Sequence, residues 1–197
     1  MRLGTKIYVV NIGGFDTHAN QVLIGEPENG DHATLLKNLS DAIAAFTADC
    51  AALGIQARVV GMTFSEFGRQ IRANNSFGTD HGTAAPLLVF GSCVNHGIYG
   101  DNPEITSDIE PQEGVPMQHD FRSVYASLLI DWLGASESDV RNILFDDFQK
   151  IPFIKDCSEP SATADIRPEI QASVSPNPCT DHCQVRFENT GKHVRVS

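Results

Sequence analysis

An apolar strand pattern, a helical pattern and a second apolar strand pattern follow one another within the first 64 residues. That succession constrains the fold of this chain more than any other feature. Residues 7–13 (IYVVNIG) are β-branched and aromatic and read as a buried strand. Leu35, Leu36, Leu39, Ala42, Ile43, Phe46, Cys50 and Leu53 then recur at helical spacing on one face. Asp31 stands where an N-cap belongs and Gly54 where a C′ glycine belongs. Residues 59–64 (VVGMTF) read as the second strand, giving one βαβ unit with a right-handed crossover. Residues 86–91 (PLLVFG) read as a third, and proline is tolerated at a strand start. Uninterrupted apolar strands are buried on both faces, as in parallel sheets. The expectation is an α/β fold with a doubly wound, mainly parallel sheet. It is expected to be partial, because the pattern opens almost at Met1 as though an upstream part were missing.

Beyond the third strand, Asp120 can cap a helix carrying Phe121, Val124, Tyr125, Leu128, Leu129 and Trp132, closed by Gly134. A shorter helix is expected over 137–144, with Ser136 and Asp139 as a capping box. From Asp156 the composition shifts to Ser, Pro, Thr, Ala and Glu, the mark of a linker. The expected organisation is one domain over 1–155, a linker over 156–172 and a short β-type tail over 173–197. In that tail, residues 184–188 (QVRFE) alternate like a strand.

Acidic residues outnumber basic ones 25 to 14. That balance argues against nucleic acid as partner, since such binding needs a basic footprint. No apolar run reaches the length of a transmembrane segment, and the first residues carry no signal-peptide core. Of five cysteines, Cys50 and Cys93 read as small buried apolar residues. Cys179 and Cys183 can pair in an oxidising compartment. A zinc site from Cys179, His182 and Cys183 would lack a fourth ligand.

Three polar clusters sit near the strand patterns: Gly13 to His18, Ser65 to Arg69 and Gly78 to Gly82. Ligands of open α/β sheets bind outside the carboxyl ends of the strands, so acids and histidines there read as a metal or acid/base site. Asp16 and His18 are two apart, and in extended chain both face one side. A carboxylate with an imidazole suits zinc, manganese or iron better than calcium. His81 is the candidate third ligand, and Asp80 either orients a neighbour or coordinates the ion itself. Glu66 reads as general base, ligand or orienter, or else as the salt-bridge partner of Arg69. Arg69 and Arg72 can neutralise an anionic substrate or simply balance acidic surface. His32, at the helix start, can reach toward a site at the strand ends or lie exposed. His96 and His119 read as surface residues. No serine, threonine or cysteine stands in a recognisable nucleophile setting.

The runs VNIGGFDTHANQ (10–21), MTFSEFGRQIRAN (62–74), GTDHGTAAPLLVFG (78–91) and DFRSVYASLLIDWLG (120–134) resemble the C-terminal half of the domain of unknown function 1501 family. That family resembles a branch of the alkaline phosphatase and sulfatase superfamily. The resemblance, over about residues 5–150, implies a metal-dependent hydrolase of phosphate or sulfate esters. It implies Asp16, His18 and His81 as metal ligands. Glu66 stands where the superfamily usually has an Asp followed by a His, and that His position is Phe67 here. The superfamily's nucleophile and first metal-binding Asp come from an early strand, which by this resemblance would lie upstream of Met1. Val174 to Pro178 followed by residues 184–187 resembles the start of a type IX secretion C-terminal sorting domain. It implies the type IX secretion machinery as partner and an extracellular or cell-surface location.

Two functions compete. One is a hydrolase acting on a small anionic ester or glycan through a divalent ion, with Glu66 as its catalytic carboxylate. The other is a secreted binding protein that keeps the scaffold without turnover.

Overall fold

A computed structural model describes residues 6–157, together with the backbone of residues 171–175 and 184–188. The chain divides into two compact units, Met1–Cys157 and Ser158–Ser197. The expected linker over 156–172 falls almost wholly outside the described residues, as do Cys179, His182 and Cys183.

The longest element is helix α1, Asp31–Ala52. Its N-cap is Gly30 rather than the expected Asp31, which occupies the first turn. An acid there still favours the positive end of the helix dipole. At the other end Gly54 N–H donates to Ala51 C=O and Ile55 N–H to Cys50 C=O. This is a Schellman closure, and Gly54 supplies the left-handed residue it needs at φ 65°. Cys50 is buried and unpaired.

The strands are shorter than the sequence suggests. Strand β1 is Gly61–Met62 and strand β2 is Val89–Phe90. They pair antiparallel, Gly61 with Phe90 and Met62 with Val89, where parallel neighbours were expected. A parallel return needs a crossover connection, usually a helix. Residues 63–88 contain none, so the chain folds straight back. Residues 7–13 form no ladder among the described residues, in place of the expected buried strand. They are also uncovered, 67% to 89% exposed from Ile7 to Val10 and 43% at Ile12.

The core of the first unit is organised around helix α2, Phe121–Ser127. Asp120 caps it as expected, accepting from Arg122 N–H, and also grips the Arg122 guanidinium through both carboxylate oxygens. That pairing holds the Asp120 carboxyl below the usual carboxylate range. Val124 packs with Ile151 and Phe153 against Met62, Leu87 and Val89. Ala126 packs with Val140 and Leu144 in a second cluster. The expected single helix to Gly134 runs on instead as a π-helical turn, Leu128–Trp132. Helix α3 is Glu137–Leu144, and Ser136 accepts from Asp139 N–H at its start.

Ser127 is fully buried, donates to Ser123 C=O and accepts Ile151 N–H at 2.8 Å. Ser127→Ala leaves that buried N–H without its acceptor and is expected to destabilise by about 1–3 kcal/mol. Urea denaturation measures it, and a change within 0.5 kcal/mol, or about the size of a neutral surface substitution, would contradict the role.

Cys93 is buried as expected but is not free: it forms a disulfide with Cys157, 64 positions away. Around it Asn95 N–H donates to Phe153 C=O and Lys155 N–H to Cys93 C=O. The second unit holds strands β3, Gln171–Ser175, and β4, Gln184–Glu188, paired antiparallel from Gln171–Glu188 to Ser175–Gln184.

Candidate metal centre

The loop after residue 13 turns twice in succession. Thr17 N–H donates to Phe15 C=O and His18 N–H to Asp16 C=O, at 3.0 and 3.1 Å. These tight three-residue turns bring the side chains of Asp16 and His18 together, with Oδ1 3.1 Å from Nε2. Thr17 turns inward instead, is buried, and donates to Gln21 Oε1.

The segment that carries His81 is fixed by the chain beside it. Arg69 and His81 pair as an isolated antiparallel bridge. Gln70 N–H donates to Asp80 C=O and Gly82 N–H to Gly68 C=O. Phe67 stacks on His81 with ring centroids 3.6 Å apart and planes 19° from parallel.

Several bonds then join the two segments. Thr79 N–H donates to Thr17 C=O, Thr79 Oγ1 to Gln21 Oε1, and Asn74 Nδ2 to His18 C=O. Gly78 permits the approach, since a Cβ there would lie 2.2 Å from the His18 carbonyl carbon.

The result places His81 Nε2 2.9 Å from Asp16 Oδ1 and 3.1 Å from His18 Nε2. One ligand atom each from Asp16, His18 and His81 falls within a 4.8 Å span, and all three residues are exposed. Two imidazole nitrogens and a carboxylate oxygen are the types of donor that zinc and manganese take. His18 Nδ1 faces Asp80 Oδ1 at 2.9 Å, and Asn74 Nδ2 donates to the same oxygen. Asp80 therefore stands behind His18, outside the group of converging atoms.

The remaining candidates are placed differently. Glu66 is exposed and outside the group, and makes no hydrogen bond or ion pair among the described residues. Its expected alternative, a salt bridge to Arg69, does not form, because Arg69 pairs with Asp16 at 3.0 Å. Arg72 donates to the carbonyls of Ile109 and Ser107, remote from the ligands in sequence. His32 is half-buried, edge-on to Phe15, with its Nδ1 enclosed and unbonded. His96 and His119 are exposed. Gln21 and Asn74 were not legible as site residues, because neither type nor spacing distinguishes them from ordinary loop amides.

The hydrogen bond from His81 holds the Asp16 carboxyl below its ordinary value of 3.8, helped by the charges of His18, His81 and Arg69 against some desolvation. Asp80 is lowered chiefly by its bond to His18, then by Asn74. Lowered carboxyl values stabilise the fold above the ordinary value, and that contribution is lost as pH falls through the folded-state value. His81→Ala is expected to move the Asp16 midpoint up toward 3.8, as read by carboxyl-carbon NMR titration. An unmoved midpoint would mean that the contact does not persist in solution.

A family model described as protein of unknown function (DUF1501) matches residues 1–132, and the chain belongs to that family. No curated protein and no solved structure matches the chain.

Proposed function

We propose that this member of the DUF1501 family is a metal-dependent hydrolase of phosphate or sulfate esters. Asp16, His18 and His81 would hold a divalent zinc or manganese ion. The observation that carries the reading is their convergence within 4.8 Å from segments up to 65 positions apart. An ion held there would act as Lewis acid and lower the pKa of a bound water. Asp80 fixes the His18 ring so that Nε2 faces the centre, and Phe67 braces His81. Half-exposed ligand side chains leave room for a small anionic ester or the charged group of a glycan. Glu66, exposed and unengaged in the adjoining segment, is the proposed base that takes a proton from the attacking water.

The fold reading, a doubly wound α/β sheet of the alkaline phosphatase type, is part of the same proposal. So is an extracellular or cell-surface location, which the Cys93–Cys157 disulfide supports because such bonds persist in oxidising compartments. The tail is proposed as the start of a type IX sorting domain read by that secretion machinery; its antiparallel β3–β4 pair suits a β-type module.

The second reading is a non-catalytic binding protein, and one observation bears on it by closing the covalent alternative to water attack. The two threonine hydroxyls flanking the ligands, on Thr17 and Thr79, both donate to Gln21 Oε1 and are largely buried. Neither is free to attack an ester. The test is metal content by mass spectrometry, followed by turnover of 4-nitrophenyl phosphate and sulfate with added Zn²⁺ or Mn²⁺. Turnover that disappears in His81→Ala supports the hydrolase. Bound metal without turnover supports the binding protein, and no bound metal overturns the metal centre.

A further inference from the structure

We propose that Arg69 is the positioning residue of this centre, a clamp that locks the two ligand-bearing segments together and sets the direction of the Asp16 carboxylate. The proposal rests on the metal-centre reading for its purpose, while its first test needs no metal.

Arg69 touches both segments at once. Its backbone is bridged to His81. Its Nη1 donates to Thr79 C=O at 3.0 Å, and its Nη2 to Phe15 C=O at 2.6 Å. Nη2 also meets Asp16 Oδ1 at 3.0 Å. The guanidinium thus joins the carbonyl before Asp16 to the carbonyl two residues before His81. Only 19% of its side chain is exposed, and it lies over Phe67, the ring that stacks on His81. A residue meant to bind an anionic substrate would keep its fork open to solvent. This one spends its donors on two backbone carbonyls and a ligand carboxylate. Planar, multidentate bridging of this kind is what arginine offers and lysine does not.

Charge and positioning predict opposite signs. A cation beside a divalent ion repels it, so charge alone would make Arg69→Gln bind Zn²⁺ more tightly. Loss of positioning makes it bind more weakly. Arg69→Lys keeps the charge and loses the fork, and serves also where Arg69→Gln fails to fold.

The first measurement is amide hydrogen exchange in the metal-free protein. Thr79 N–H, which bonds across to Thr17 C=O, should exchange at least ~10-fold faster in both variants. The remote amides of Leu53 and Gly134 should be unchanged. The second is Zn²⁺ affinity by calorimetry, expected to fall about 10- to 100-fold in both variants, the usual cost of losing a group that orients a ligand. Unchanged exchange at Thr79, or Arg69→Lys matching wild type in both measurements, overturns the clamp. Equal acceleration at all amides does so too, since Arg69 would then only support the fold. Wild-type protein that binds no Zn²⁺ sinks the metal centre, while the exchange result still decides the clamp.

Discussion

His81→Ala will weaken Zn²⁺ binding by at least about 100-fold, a larger loss than the 10- to 100-fold usual when only an orienting partner is removed. Of the three residues whose candidate ligand atoms converge, His81 alone lies on the second segment. Without it, Asp16 and His18 remain as a two-ligand pair on one turn, too few for the three protein ligands of an open zinc site. The substitution spares the backbone bridge between Arg69 and residue 81. It removes the stacking partner of Phe67, which costs about 0.5–1.5 kcal/mol beyond lost area. Competition against a chelating dye measures the affinity, and thermal melting of the metal-free variant separates the stacking loss from the ligand loss. Asp80→Ala should fall in the smaller 10- to 100-fold range, because Asp80 acts through His18. Equal affinities in wild type and His81→Ala would remove the site altogether.

Breaking the Cys93–Cys157 disulfide will lower stability by about 4 kcal/mol, the chain-entropy value for a closed loop of this length. The loop of 64 positions encloses α2 and α3 and the buried residues of both core clusters. Native geometry need not change much on cleavage. Asn95 and Lys155 still tie residues 93–95 to 153–155 through backbone bonds. The loss should therefore act chiefly by freeing the unfolded chain. Cys157→Ser is the better variant, since Cys157 is half-buried while Cys93 is fully buried. Urea denaturation with and without dithiothreitol, alongside this variant, gives the value. A difference below about 1 kcal/mol, outside the typical range, would contradict this entropic role of the bond.

The sequence made some elements legible and hid others for definite reasons. Helix α1 was readable because its periodicity and its C′ glycine are local signals, and Gly54 takes the conformation that position requires. Helix α3 was readable for the same reason, through Ser136. Residues 7–13 carry strand propensity, but a strand exists only with a neighbour. Among the described residues none pairs with them. Strands β1 and β2 met antiparallel because the helix-free stretch 63–88 decides their relation, which composition inside the strands cannot encode. The Asp16–His18 pair and His81 were legible as chemical types, and their meeting follows from loop bonds that no spacing rule predicts. The partner of Cys93 was not legible, because connectivity among five cysteines depends on which chain ends meet in space. Arg69 was readable as a cation, while its orientation toward two carbonyls is visible only in three dimensions.

The glycine junction has a consequence for descent. A side chain at 78 would collide with the His18 carbonyl, and one at 82 with the Arg69 carbonyl, so both positions are steric prerequisites of the ligand geometry. Lineages that keep Asp-x-His and the later Asp-His pair should therefore keep both glycines as a linked set. A lineage that has lost the ligands is released from that constraint, and its glycines should drift with them. An alignment of the family can then sort working centres from relics by the backbone residues alone, before any ligand position is inspected.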